Sequence, residues 1–225
     1  MPASTDQAPS LAADEFNWES HDLTETDRIL LPILLSWIRS RSPASVLDLG
    51  CGNGALTNEL AKHCQRCVGM DISRSGITLA KNRYPSHDFL LADLQQPLPK
   101  MQCQQFDCVV SIEVVEHLLL PRQLFARARE SLRPGGELIL STPYHGYWKN
   151  LALAVTGRFD SHWHPLRDYG HVKFFSVSTM TQLFEEQGFE VTDIRFVGRF
   201  PALARSMLYR GRLRGDSLPI SPAPA

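Results

Sequence analysis

Val46-Leu47-Asp48-Leu49-Gly50-Cys51-Gly52-Asn53-Gly54 decides how the rest of the chain is read. A short apolar run ends in alternating glycines, and helical spacing follows from Leu56 to Cys64. Strand, glycine turn, helix is the order of a ligand-binding loop, because residues without Cβ let the backbone turn tightly and approach a ligand closely. Downstream, Cys67 to Asp71 reads as a second strand, and a helix capped by Ser73 runs to about Arg83, before Pro85. Phe89-Leu90-Leu91 is a third strand and Phe106 to Ile112 a fourth. A helix from Pro121 to Leu132 is ended by Pro134-Gly135-Gly136, and Glu137 to Ser141 is a fifth strand. Continuous apolar strands separated by helices predict an α/β fold, with a parallel sheet covered on both faces.

The last third changes character. Residues 143–175 are rich in His, Trp, Tyr and Phe and lack clean periodicity. Ser178 to Gln187 is a helix closed by Gly188, Phe189 to Val197 a sixth strand and Ser206 to Leu213 a seventh. Two strands so close in sequence predict an antiparallel hairpin at the end of the sheet. One domain over residues 16–215 is expected, with a flexible leader at 1–15 and a disordered tail at 216–225.

Composition narrows the function. The chain has 225 residues, enough to bury a core without staples. A net charge of −1 argues against electrostatic nucleic-acid binding by the whole molecule. No apolar run reaches 18 residues, and the best candidate, Ile29 to Ile38, is interrupted by Pro32, so no transmembrane helix is expected. The start of the chain lacks a basic segment followed by an apolar one, so no secretory signal is expected. The five cysteines (Cys51, Cys64, Cys67, Cys103, Cys108) then suggest reduced thiols and a cytoplasmic location. Cys64-x-x-Cys67 lacks the further ligands a zinc site needs.

Asp71 ends the second strand, 19 residues after Gly52, where a carboxylate accepts both hydroxyl protons of a ribose. That implies an adenosine-containing cofactor. Gly50-x-Gly52-x-x-Ala55 also fits a dinucleotide fingerprint. Asp48 breaks the tie: a carboxylate two residues before the first glycine repels a pyrophosphate and attracts the ammonium of S-adenosylmethionine.

Asp48-x-Gly50-x-Gly52-x-Gly54, Asp71, Asp93 after the third strand and Leu132-Arg133-Pro134-Gly135-Gly136 before the fifth together resemble the class I S-adenosylmethionine-dependent methyltransferases. The resemblance spans about residues 25–213. It implies a Rossmann-like seven-stranded sheet, mostly parallel with the antiparallel C-terminal hairpin. By that resemblance Asp48, Gly50, Cys51 and Gly52 hold the methionine end, Asp71 the ribose with Ile72 beside it, and Asp93 and Leu94 border the adenine. Glu113 joins the cofactor site on the same ground.

Ile112-Glu113-Val114-Val115-Glu116-His117 follows the fourth strand. If it turns helically, Glu113, Glu116 and His117 share one face at the C-terminal end of the sheet. Two close carboxylates repel unless a proton or cation lies between them. A divalent ion such as Mg or Mn is one solution; the other is a metal-free turn in which Glu116 or His117 acts as base. The Glu113-x-x-Glu116-His117 pattern is similar to the ubiquinone-biosynthesis O-methyltransferases and to the small-RNA 3′-terminal 2′-O-methyltransferases. The RNA branch implies a further His, and Gly170-His171-Val172-Lys173-Phe174-Phe175 resembles that segment with Gly in place of an acid, so His171 is the fourth candidate ligand.

Between the fifth strand and Phe175, His145, His162 and His164 stand among Tyr147, Trp148, Phe159, Trp163 and Tyr169, a composition suited to roofing an aromatic acceptor. From Ile194 to Gly215 six arginines and no acids are interleaved with apolar residues. Such a stretch suits an anionic membrane surface, RNA phosphates or a solvated sheet edge. The expected activity is O-methylation of a small aromatic or quinone-like, lipophilic acceptor, with an RNA ribose methyltransferase and a non-catalytic S-adenosylmethionine-binding protein as alternatives.

Overall fold

The computed structural model describes residues 16–98, 105–163, 165–198 and 200–215. The leader at 1–15 and the tail at 216–225 lie outside the described residues, as do Cys103, His164 and Arg199.

The elements run α1 (Glu25–Arg41), β1 (Ser45–Leu49), α2 (Ala55–Ala61), β2 (Arg66–Asp71), α3 (Arg74–Arg83), β3 (Asp88–Leu91), β4 (Phe106–Ile112), α4 (Pro121–Ser131), β5 (Leu132–Pro143), α5 (Tyr147–Val155), α6 (Phe159–Trp163), α7 (Val177–Glu186), β6 (Phe189–Val197) and β7 (Ser206–Leu213). Local chemistry sets their limits. Thr24 and Asp27 form a capping box at α1, Ser73 caps α3, Ser176 and Thr179 form a second box at α7, and Pro121 opens α4. α1 runs through Pro32, because Leu30, Leu34, Trp37 and Ile38 bury a continuous stripe that outweighs the lost backbone bond.

The seven strands form one sheet in the order β3-β2-β1-β4-β5-β7-β6. β1 to β5 pair in parallel, and β7 runs antiparallel between β5 and β6, which is the expected hairpin. Strand residues alternate between two cores. Leu47, Leu49, Val109, Leu138 and Leu140 pack with Leu124, Phe125, Met180 and Phe184 on one face. Val46, Cys67, Cys108, Val110 and Ile139 pack with Leu30, Leu34, Leu56 and Leu60 on the other. Strand order reverses between β1 and β4, so the crevice at their C-terminal ends receives the glycine loop from one and the Glu113–His117 turn from the other.

Two expectations change. β5 begins at Leu132 rather than Glu137, since Leu132 pairs with Phe106 across a bulge and Arg133 reaches Asp107 at 2.7 Å. The segment read as lacking periodicity holds two helices, α5 and α6. No helix among the described residues is long and apolar enough to cross a membrane.

Candidate active site

The glycine loop turns because its glycines occupy positive φ: +85° at Gly50, +53° at Gly52 and +77° at Gly54. At Gly50 a Cβ would also strike Val114, on the neighbouring turn after β4. Asp48 is buried beneath the loop and accepts a hydrogen bond from Thr57 Oγ1 at 2.6 Å through Oδ2. Its Oδ1 is buried with no hydrogen-bond partner, and burial raises the carboxyl pKa to about 7. An orphaned carboxylate oxygen under a glycine cradle fits a ligand that brings an ammonium.

Asp71 is fixed by two backbone donors, Gly52 N to Oδ2 and Ser73 N to Oδ1, each at 2.7 Å. A carboxylate fixed in this way at the end of β2 is placed where a ribose diol would meet it. Ile72 is exposed beside it, and Asp93 Oδ1 holds the Gln95 amide at 2.8 Å with Leu94 buried next to it. The Cys51 side chain turns away from the cradle and packs with Ile77, Ala80 and Phe89, so this residue faces a ligand only through its backbone.

The turn after β4 departs from the helical expectation. Glu113 takes φ +55°, in the left-handed region, and a single 3-10 turn follows over Val115–His117. The left-handed residue points the Glu113 side chain back over the sheet. There its Oε1 accepts from Ser141 Oγ at 2.9 Å and its amide donates to the same hydroxyl at 3.0 Å. Ser206 of β7 also bonds the Glu113 carboxyl, whose pKa burial raises to about 7. Glu113 therefore turns its carboxyl to Ser141 and Ser206, near enough to Glu116 to raise its pKa but outside the group of donor atoms that converges among the described residues.

Glu116, His117 and His171 do converge: one donor atom from each lies within 4.8 Å of the others. The backbone brings them together, because the Glu116 carbonyl accepts the amides of Val172 at 2.9 Å and Lys173 at 3.0 Å. His117 Nδ1 lies 2.8 Å from the Tyr169 carbonyl and 3.2 Å from that of Gly170. Only N–H hydrogen-bonds a carbonyl, so Nδ1 carries the proton and Nε2 keeps its lone pair. Tyr169 at φ +57° and Gly170, where a Cβ would lie 2.9 Å from Arg167 O, form the tight turn that places His171. The two imidazole rings meet edge to face at 4.8 Å.

Burial disfavours the charged form of each member of the cluster. Burial lowers the pKa of His117, and lowers that of His171 to about 4 with help from His117. Burial and the nearby Glu113 raise that of Glu116. Glu116 Oε2 accepts from Thr142 Oγ1 at 3.1 Å, while Oε1 is buried and unpartnered. One orphan carboxylate oxygen and two neutral imidazoles form a mixed O/N donor set that a divalent ion would satisfy. With two imidazoles to one carboxylate, the set suits Mn, Fe, Co or Zn better than Mg.

Beyond the cluster, His145 lies 5.9 Å from His162 and 4.6 Å from Phe174, ring to ring, and Trp163 packs on Phe174. The C-terminal arginines are drawn into ion pairs: Arg195 with Asp193, Arg205 with Glu25, and Arg210 and Arg212 with Glu137, which Arg41 also meets. The stretch empty of acids in sequence is supplied with them by the fold. Two features escaped the sequence reading. Trp18 lies against Gly52, and Lys149 is buried on α5, with Nζ donating to the carbonyls of Tyr144 at 2.8 Å and Arg205 at 3.4 Å.

Comparison with known proteins bears on the family and the fold. The family model described as a methyltransferase domain matches residues 21–194. A ubiquinone biosynthesis O-methyltransferase from Coxiella burnetii is 28% identical over 186 residues, 77% of this chain and 76% of the relative. A probable S-adenosylmethionine-dependent methyltransferase from Mycolicibacterium smegmatis is 33% identical over 149 residues, 66% of this chain and 52% of the relative. In fold, the N-methyltransferase NodS from Bradyrhizobium japonicum, solved with S-adenosyl-L-homocysteine, superposes with a TM-score of 0.61 at 21% identity, covering 84% of this chain and 88% of its own. The chain belongs to the methyltransferase-domain family and is a class I S-adenosylmethionine-dependent methyltransferase.

Proposed function

We propose that the protein methylates a hydroxyl of a small aromatic or quinone-like acceptor held at Glu116, His117 and His171. The convergence of those three side chains beside the glycine loop carries this reading. The Coxiella relative, named for ubiquinone biosynthesis, supports the acceptor class. Exposed apolar residues of the insert, Trp148 at 65%, Val155 at 79% and Leu166 at 98%, suit a lipophilic acceptor and contact with a bilayer surface better than the ion-paired arginines do.

Bound S-adenosylmethionine supplies an electrophilic methyl group on a sulfonium. A divalent ion held by Glu116, His117 and His171 would lower the pKa of the acceptor hydroxyl and fix its orientation. The chain's own residues supply alignment. Asp48 and Asp71 fix the donor at its two ends, and the glycine backbone allows close approach. Without an ion, His117 Nε2 keeps its lone pair and can take the hydroxyl proton as the oxygen attacks. Thr142 and the Tyr169 carbonyl hold Glu116 and His117 in position.

The test is methyl transfer from radiolabelled S-adenosylmethionine into fractionated cell extract, with and without chelator. Label in the lipid or small-molecule fraction that disappears with chelator is the expected result. Label that survives chelation would retire the metal and leave His117 or Glu116 as base. Nuclease-sensitive label would replace the aromatic acceptor with an RNA ribose.

A further inference from the structure

We propose that residues 16–22 form a gate over the cofactor pocket, with Trp18 as the residue that closes it. The proposal rests on the family reading of the Gly50–Gly54 loop and Asp71 as the cofactor site.

The indole of Trp18 lies directly on two glycines from different elements. A Cβ at Gly52 would overlap its six-membered ring, and a Cβ at Gly76, in the first turn of α3, would stand 3.0 Å from its Cδ1. Gly52 is also the residue whose amide holds the Asp71 carboxylate, so the indole lies one residue from the group assigned to the ribose. Two positions without side chains leave room for one large ring at the mouth of the pocket.

Hydrogen bonds tie the segment to the cofactor-binding elements. Trp18 N donates to Ser75 Oγ at 3.0 Å, and Ser73 Oγ donates to the Phe16 carbonyl at 2.8 Å. Asn53 Nδ2 donates to the carbonyls of Ser20 at 2.7 Å and Asp22 at 2.9 Å. Residues 16–22 contain no helix or strand and contribute nothing to the clusters of buried core side chains. A segment held by a few edge hydrogen bonds and one half-buried ring opens at far lower free energy than the sheet beneath it. The far end of the segment touches the acceptor side: Phe16 meets Trp18 edge to face at 5.3 Å, and the Arg167 guanidinium lies over the Phe16 ring, 5.6 Å from its centroid. Arg167 belongs to the turn that places His171. One short segment thus covers the cofactor loop and reaches the loop that carries the acceptor cluster, so cofactor exchange requires it to lift.

Stopped-flow association and dissociation of S-adenosylhomocysteine with the full chain test this. In Trp18→Ala both rate constants should rise, dissociation by about ten-fold or more, with the Kd changing less than either rate. Ser75→Ala, which loosens one anchor and keeps the indole, should shift both rates the same way by a smaller factor. Ligand binding should slow amide exchange across residues 17–22. Rates within two-fold of wild type in a folded Trp18→Ala, or faster dissociation with unchanged association, would overturn the gate. Unchanged amide exchange on binding would overturn it as well. Asp71→Ala controls the underlying reading: if it leaves affinity intact, the loop is not the cofactor site, whatever the segment does.

Discussion

Around the glycine loop the chain is regular and buried, with β1 wholly interior from Val46 to Leu49 and Asp48 sealed beneath it. On the acceptor side, α5 and α6 span nine and five residues and leave Tyr147, Trp148 and Val155 in solvent. In the proposed reading the first region binds the cofactor common to the family, so rigidity serves it. The second receives the acceptor, and its exposed apolar residues have little of the protein to pack against. Between them stands a cluster that takes Glu116 and His117 from one side and His171 from the other, joined by the Glu116 carbonyl.

This contrast predicts that the two sides fail differently. Glu116→Ala should lower kcat/KM by about a thousand-fold while S-adenosylhomocysteine affinity changes by less than about two-fold; steady-state kinetics beside calorimetry would show it. A comparable loss of cofactor affinity would erase the division. Gly50→Ala should do the reverse. Its positive φ and the contact with Val114 should cost about 2 kcal/mol in chemical denaturation and weaken cofactor binding.

Asp48 sharpens the comparison through pH. Its folded pKa is raised above the unfolded value, so without ligand its ionisation costs stability as pH rises from about 4 through 7. An ammonium at its orphaned oxygen would restore the charged form. Cofactor affinity should therefore fall as pH drops below 7, by up to about ten-fold per unit, with protons released on binding near pH 6 to 7. Calorimetry in buffers of different ionisation enthalpy would detect them, and pH-independent binding would detach Asp48 from the ammonium. The smallest effect belongs to the insert: Trp148→Ser should change stability by less than about 0.5 kcal/mol and raise KM for a lipophilic acceptor.

The regular half was legible because its signals are local. β4, β6 and β7 occupy the spans their apolar runs mark, and the glycines and Asp71 meet as their spacing implies. α5 was not, because its pattern is inverted: Lys149 points inward to two backbone carbonyls while aromatic residues face out. No periodicity rule reads a helix whose buried residue is a lysine. The turn at Glu113 was not legible because a left-handed residue is not readable from spacing. His171 was named from the sequence, but what sets it beside Glu116 and His117 is a group of tertiary bonds from residues 169–173, more than fifty positions downstream.

Metal binding by three proteins tests the acceptor centre most directly, without needing the acceptor. Purified wild type, His171→Ala and Glu113→Ala, each confirmed folded, would be titrated with Mn²⁺ and read by electron paramagnetic resonance of the free ion. The account predicts that wild type and Glu113→Ala bind and His171→Ala does not. Binding retained by His171→Ala and lost by Glu113→Ala, or no binding by wild type, would contradict it.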